Sequence, residues 1–172
     1  MQLKTKRLTL RELNEKDKDN LVKYANNLLV SRYLLVVPFP YKEEDAVWFI
    51  NHCKENSQKK IRTSYELAIS LDDELIGLIG LTGIKDRVGT IGYWLGEPFW
   101  RKGYISEALK EVIKLAKKLK LKKLKAGVFT ENEPSSKLLL KSEFKITNNG
   151  NQKIIAKSTG KEHDEIIHEL EL

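Results

Sequence analysis

A single cysteine, Cys53, excludes any disulfide within the chain. Its thiol lies in an apolar-periodic stretch, where packing is the expected role. No apolar run approaches the ~20 residues of a membrane-crossing helix. The opening residues M-Q-L-K-T-K-R-L contain no apolar leader, which implies a cytoplasmic protein. The three histidines, His52, His163 and His168, have neither the spacing nor the neighbours of a metal set, so no metal is expected. There is no internal repeat and no proline-rich linker. The common nucleotide signatures are missing too. A Walker loop needs a glycine before its lysine and Ser or Thr after it, whereas Lys102 is preceded by Arg101 and followed by Gly103. Gly77, Gly80 and Gly83 lie in or just after a strand with no helix to follow, unlike a dinucleotide fold.

What is present is 172 residues, 41% hydrophobic and 32% charged, which fits one domain over 1–172 with a real core. The net charge is +7, and lysine crowds residues 114–125, K-L-A-K-K-L-K-L-K-K-L-K. The apolar residues there keep helical and then strand-like spacing, so these lysines form a solvated face. No aromatics interleave them, and direct nucleic-acid binding is not expected. The positive charge suits a polyanionic small ligand equally well.

Residues 7–13, R-L-T-L-R-E-L, alternate as a strand. Asn14 caps a helix that carries Leu21, Ala25, Leu28 and Leu29, with Asp17 at the third helical position. A second helix follows Pro40, its inward face being Ala46, Val47, Ile50 and Cys53. Y-E-L-A-I-S and L-I-G-L-I-G-L-T form a hairpin through Asp72-Asp73, and T-I-G-Y-W-L-G over 90–96 adds a third strand. A helix runs from about Ser106 to Leu119 on Ile105, Ala108, Leu109, Val112, Ala116 and Leu119. A buried strand at 124–129, a short helix from Pro134 to Lys141, a turn at 148–152 and closing strands complete the chain. The fold class is mixed α/β, with a right-handed parallel crossover at its centre.

Residues 99–108, F-W-R-K-G-Y-I-S-E-A, stand apart. Main-chain amides at a helix start lack intrahelical partners, and the helix dipole is positive there. Gly103 lets a ligand oxygen approach, and Arg101 and Lys102 add charge-assisted donors. Together they describe an anion site.

The longer stretch I-G-Y-W-L-G-E-P-F-W-R-K-G-Y-I-S-E-A-L resembles the acetyl-CoA segment of the GCN5-related N-acetyltransferases, most closely the ribosomal-protein N-terminal branch. T-K-R-L-T-L-R-E-L, P-F-P-Y-K-E-E-D-A, E-N-E-P-S-S-K-L-L-L-K-S-E-F and H-D-E-I-I-H-E-L match that branch in order across nearly the whole chain. The resemblance implies a central, mostly antiparallel twisted sheet with one splayed parallel pair, flanked by about four helices. It implies that main chain around Tyr93, Trp94 and Leu95 pairs with pantetheine. Amides of Arg101, Lys102, Gly103, Tyr104, Ile105 and Ser106 would hold the diphosphate of acetyl-CoA. Asn132 would touch the pantetheine, and Ser135 would lie near the sulfur as the catalytic hydroxyl. Three positions depart from the family pattern: Trp100, Ile105 and Glu143. The first two leave main-chain donors intact.

Read by themselves, these residues keep other roles open. Asn132 could serve as an N-cap, Ser135 could satisfy local backbone, and one of Tyr93 and Trp94 could be core. The reaction expected is attack of an amine on the acetyl thioester. No base stands out, Glu66 and Glu97 being the candidates. An α-amine with pKa near ~8 needs less help than a lysine near ~10.4. The resemblance implies a protein N-terminus, such as that of a ribosomal protein, as the leading acceptor, and the α-amine argument agrees with it. A polyamine or antibiotic, or a non-catalytic ribosome-binding module, are the alternatives, and a homodimer is implied by resemblance alone.

Overall fold

Two pairs of left-handed residues turn the chain back on itself and set the register of the sheet. Asp72 and Asp73, with φ of 48° and 65°, join two strands as the sequence suggests. Asp86 and Arg87, with φ of 51° and 64°, make a second such turn. Asp-Arg carries no glycine or asparagine signal, so the sequence gives no warning of it.

The computed structural model describes residues 1–147 and 152–172. The turn expected at 148–152 falls outside them except for Gln152. The elements are β1 (Gln2–Lys4), β2 (Thr9–Arg11), α1 (Lys18–Ala25), α2 (Leu28–Ser31), α3 (Glu43–Gln58), β3 (Tyr65–Leu71), β4 (Glu74–Lys85), β5 (Val88–Leu95), α4 (Tyr104–Lys118), β6 (Lys123–Phe129), α5 (Glu133–Lys141), β7 (Lys145–Ile146), β8 (Gln152–Ile155) and β9 (Glu162–Glu171). The sheet runs β1-β2-β3-β4-β5-β6-β9-β7, with β8 also paired to β9. Every pairing is antiparallel except β5 with β6.

Strand alternation puts a different core on each face. Leu67, Ile69, Ile79, Leu81, Ile91, Leu124, Ala126 and Val128 face α4 and α5, meeting Ala108, Leu109, Val112, Ala116 and Leu139. Ala68, Leu75 and Leu78 face α1 and α3, meeting Leu21, Ala25, Ala46 and Ile50. α4 buries the stripe its spacing predicts, with Ile105 and Leu119 at the margin.

Asn14 caps the helix start with Asp17 at the third position, as expected, through a one-turn 3-10 segment that leads into α1. Two local expectations are corrected. The α1 pattern does not continue to Leu28 and Leu29. α1 stops at Ala25, and those leucines sit exposed in the single-turn α2, capped by Asn27. An asparagine that can bond its own chain wins over helical spacing. Val47 also points outward, and the buried line of α3 is Ala46, Ile50, Cys53 and Asn56. The i, i+4, i+7 row is narrower than the notional apolar face.

The parallel pair matters most for function. β5 and β6 are in register at Val88–Lys123, Gly89–Leu124 and Thr90–Lys125 only, yet β5 continues to Leu95 and β6 to Phe129. Beyond Thr90 the strands part, and a sheet that splays leaves main-chain groups unpaired on both lips.

Candidate functional site

The amide of Gly96 donates to the Ile76 carbonyl at 2.8 Å, closing the β4–β5 ladder. Alternate residues of an antiparallel strand turn their amide groups to opposite sides. Gly92 and Trp94 therefore direct theirs to β4, and Tyr93 and Leu95 direct theirs into the splay. One of these groups is engaged: the Trp100 indole N–H donates to the Leu95 carbonyl at 2.7 Å. The side chains of Tyr93 and Trp94 are both half-buried, Tyr93 on the α4–α5 core and Trp94 on the α1–α3 core.

β5 leads through a one-turn helix at Glu97–Phe99 to the turn before α4. Arg101 (φ 61°) and Gly103 (φ 79°) are both left-handed. Alternating handedness of this kind gathers successive N–H groups into a concave anion nest. The first amide of α4 to find a helical partner is that of Glu107, bonded to Gly103 O at 3.1 Å. Among the described residues, none of the amides from Arg101 to Ser106 donates to a protein acceptor. The side chains of Arg101 and Lys102 are exposed, while Tyr104, Ile105 and Ser106 are half-buried. A diphosphate needs donors of this kind in this number, and the residues present fit it.

The turn is braced from the far end of the chain. Arg7 donates through Nη1 to the Lys102 carbonyl (3.0 Å) and through Nε to Glu107 Oε2 (2.8 Å), and its guanidinium lies over the Tyr104 ring. The Thr5 hydroxyl and the Arg7 amide complete the shell of Glu107. Burial alone would lift that carboxyl, but these donors outweigh it and hold it below the usual range.

α5 closes the other lip. Asn132 caps it, accepting from the Ser135 amide at 3.4 Å through Oδ1. The cap leaves its amide nitrogen available to a ligand, so the two roles foreseen for Asn132 are compatible. Ser135 Oγ lies 2.8 Å from the Tyr93 hydroxyl. Burial pushes the Tyr93 phenol up to about 12, with the Ser135 bond pulling the other way. Tyr93 is therefore neutral and able to donate at physiological pH. The neighbouring Ser136 Oγ lies 2.8 Å from Nε2 of His168, which is fully buried on β9.

The carboxylates separate into three kinds. Glu97 accepts from Asn27 Nδ2 at 2.6 Å and ties the loop after β5 to the start of α2. Glu66 Oε2 is buried with no hydrogen-bond partner. Glu165, which the sequence reading did not single out, lies over bare main chain: a Cβ on Gly127 would collide with its carboxylate. It has no salt-bridge partner among the described residues, and burial raises its pKa. Gly127 belongs to the splayed half of β6. Glu165 thus stands at one lip on the face of α1 and α3, and the Tyr93–Ser135 pair at the other lip on the face of α4 and α5. Alternation in H-D-E-I-I-H-E-L gives the side of the strand but not what lies beneath it. Cys53 is buried, its thiol pushed up to about 12 by that burial, and it packs as expected.

Residues 7–145 match the model of the acetyltransferase (GNAT) domain family. The chain is 34% identical over 147 residues to an uncharacterised N-acetyltransferase, p20, of Bacillus licheniformis, covering 83% of this chain and 81% of that protein. Its fold is similar to the crystal structure of a probable acetyltransferase, with a TM-score of 0.86 at 22% identity over 99% of this chain and 97% of the other. It is also similar to RimL, a ribosomal L7/L12 alpha-N-protein acetyltransferase solved in complex with coenzyme A. There the TM-score is 0.82 at 18% identity over 100% and 98% of the two chains.

Proposed function

The chain belongs to the acetyltransferase (GNAT) domain family and is an N-acetyltransferase, and from that premise we propose that it carries acetyl from acetyl-CoA to the α-amine of a protein N-terminus. One observation carries the donor: six consecutive free amides, Arg101 to Ser106, at a left-handed glycine on the lip of a splayed strand pair. Acetyl-CoA supplies an activated thioester carbonyl and a thiol leaving group. The residues of this chain do the rest.

The free amides of Tyr93 and Leu95 lie where pantetheine and the thioester carbonyl would run. An N–H held there before reaction stabilises the oxyanion as it forms. The amine nitrogen forms a bond to the carbonyl carbon, and the carbon–sulfur bond breaks. The surplus proton on nitrogen goes to Glu165, which burial makes a stronger base than an exposed carboxylate. The departing thiolate accepts a hydrogen bond from the Ser135 hydroxyl, which the neutral Tyr93 phenol orients across the 2.8 Å bond between them, and it takes its proton from solvent on release. The α-amine is favoured over a lysine side chain because one half-buried carboxylate is a mild base, and an amine near ~8 is already partly neutral. The similarity to RimL points the same way.

The test has two readouts. Acetyl-CoA should raise the Tm, and thiol release should require an added N-terminal peptide. Absence of any Tm shift would remove the donor assignment. Thiol release with small amines but with no peptide would remove the acceptor assignment.

A further inference from the structure

Three glycines stand in one row across the sheet. Glu66 on β3 is in register with Gly80 on β4, and Gly80 with Gly92 on β5. Counted two residues on from the last paired positions, Thr90 and Lys125, Gly127 on β6 stands across the splay from Gly92, unpaired with it. The row lies on the face of α1 and α3, because Gly80 and Gly92 alternate with the oppositely directed Ile79, Leu81, Ile91 and Tyr93, and Gly127 with Ala126 and Val128. Gly92 and Gly127 are exposed, and no heavy atom lies within 4 Å of the place a Gly92 Cβ would take. The result is a shallow trough floored by bare main chain at Gly92, with the Thr82 methyl 3.3 Å from the Gly80 Cβ position at one side and Glu165 over Gly127 at the other.

Each end of the trough holds a carboxylate with no cation bonded to it among the described residues. Glu165 covers Gly127. At the other end the Glu66 Cγ lies 3.9 Å from the Gly80 Cβ position, and its Oε2 is buried and unpartnered. The nearby Arg62 is committed elsewhere, donating to Glu12 Oε1 at 2.6 Å and to the Ser64 carbonyl at 2.8 Å. A buried carboxylate oxygen left without a donor is costly, and a ligand cation would relieve it.

We infer that the trough is the acceptor site, and that it selects an N-terminal peptide bearing a basic side chain one or two residues behind its α-amine. This rests on the acetyl-transfer reading given above. The α-amine sits at the Gly92–Gly127 window beside Glu165, and the basic side chain reaches along the row toward Glu66. Two strand spacings separate β5 from β3, roughly 10 Å, which is the reach of an extended lysine side chain from the adjoining residue. The trough is open to solvent at Gly92, so the peptide can continue outward there. A closed cavity would instead suit a free polyamine.

The experiment compares two short peptides, one with lysine and one with alanine at the second position, against a linear diamine, each with acetyl-CoA. Wild-type kcat/KM should be at least tenfold higher for the lysine peptide than for the alanine peptide, with the diamine slower than either. Glu66→Gln should bring the two peptides within twofold of each other. Gly92→Val has open space to occupy, so it should raise peptide KM at least tenfold while leaving the acetyl-CoA-induced Tm shift as in wild type. Equal rates for the two peptides, a preference untouched by Glu66→Gln, an unaffected KM in Gly92→Val, or a diamine faster than both peptides would each overturn the inference. If acetyl-CoA stabilises the wild type and neither peptide is acetylated, the inference fails while the donor assignment stands. If acetyl-CoA gives no stabilisation, the donor assignment itself has failed.

Discussion

Gly103 is the residue on which the turn before α4 hangs, and its φ of 79° gives the reason. An added Cβ would stand 3.5 Å from Arg7 Nη2, an ordinary contact, so backbone conformation and not space restricts the position. Aspartate tolerates the left-handed region better than most residues, and the strain should be about 1 kcal/mol. Gly103→Asp should therefore fold, with a slightly lower Tm, and lose the acetyl-CoA-induced shift because a carboxylate faces the diphosphate. Melting with and without the ligand separates the two effects. Glu165 shows the opposite balance. Burial raises its pKa, so the folded state holds its proton more tightly than the unfolded chain does. Its favourable contribution is full below the unfolded value and is lost as pH rises through the folded one. Glu165→Gln should then raise the Tm at neutral pH while lowering kcat by about a hundredfold or more. It should also abolish the rising limb of the pH–rate profile. A variant with an intact limb would show that another group takes the proton. The sequence offered Glu66 and Glu97 as bases, and neither could be sorted from the other by spacing. What distinguishes Glu165 is a glycine on a neighbouring strand, a relation that only register reveals.

At the scale of elements, α5 bridges the splay. Its first turn reaches β5 through Ser135 and Tyr93, and β9 through Ser136 and His168. Neighbouring serines on a helix point about 100° apart, so one turn can hold both lips. His168 is pushed down chiefly by burial, which keeps it neutral at physiological pH. A depressed pKa contributes stability that is present above the unfolded value and lost as pH falls through the folded one. Ser136→Ala removes one support of this bridge without touching the Tyr93–Ser135 pair. It strands a buried imidazole nitrogen at a cost of about 1–3 kcal/mol. We expect a lower Tm and a drop in kcat that exceeds any change in KM for acetyl-CoA. Ser136→Thr keeps the hydroxyl and should restore kcat. If both variants leave kcat at the wild-type value, the bridge is structural only. The helices α3, α4 and α5 were legible because long apolar periods survive any tertiary context. α2 was not, because a cap two residues after a helix end looks like a continuation of the same period.

Over the whole molecule, the order of strands and helices and the glycine turn with its free amides before α4 could be read from the sequence, because hydrophobic period and glycine placement are local signals. The depth of the splay could not, because the choice of a strand partner leaves no period. The bracing of residues 101–107 by residues 5–7 was equally hidden, since a lone Arg and a lone Glu a hundred positions apart carry no sign of contact. That bracing makes the first strand pair part of the proposed cofactor site. Arg7 fixes the Lys102 carbonyl and so holds Lys102 between two left-handed neighbours, the conformation that lines up the free amides. Arg7→Ala should weaken acetyl-CoA about tenfold, or ~1.4 kcal/mol. Loss of a positive charge would by itself weaken a polyanion, so the informative variant is Arg7→Lys. It keeps the charge and loses the planar fork that reaches Lys102 and Glu107 together. If geometry is what matters, Lys should bind acetyl-CoA no better than Ala, and Glu107→Ala combined with Arg7→Ala should cost little more than either alone. If attraction to phosphate is what matters, Lys should recover most of the affinity and the two losses should add. The carboxyl of Glu107 is held below its ordinary range, so the brace contributes above that range and is lost as pH falls through the depressed value. The wild-type advantage over Arg7→Ala should therefore vanish at strongly acidic pH and be constant from about pH 6 upward, as titration calorimetry with acetyl-CoA across that window would register.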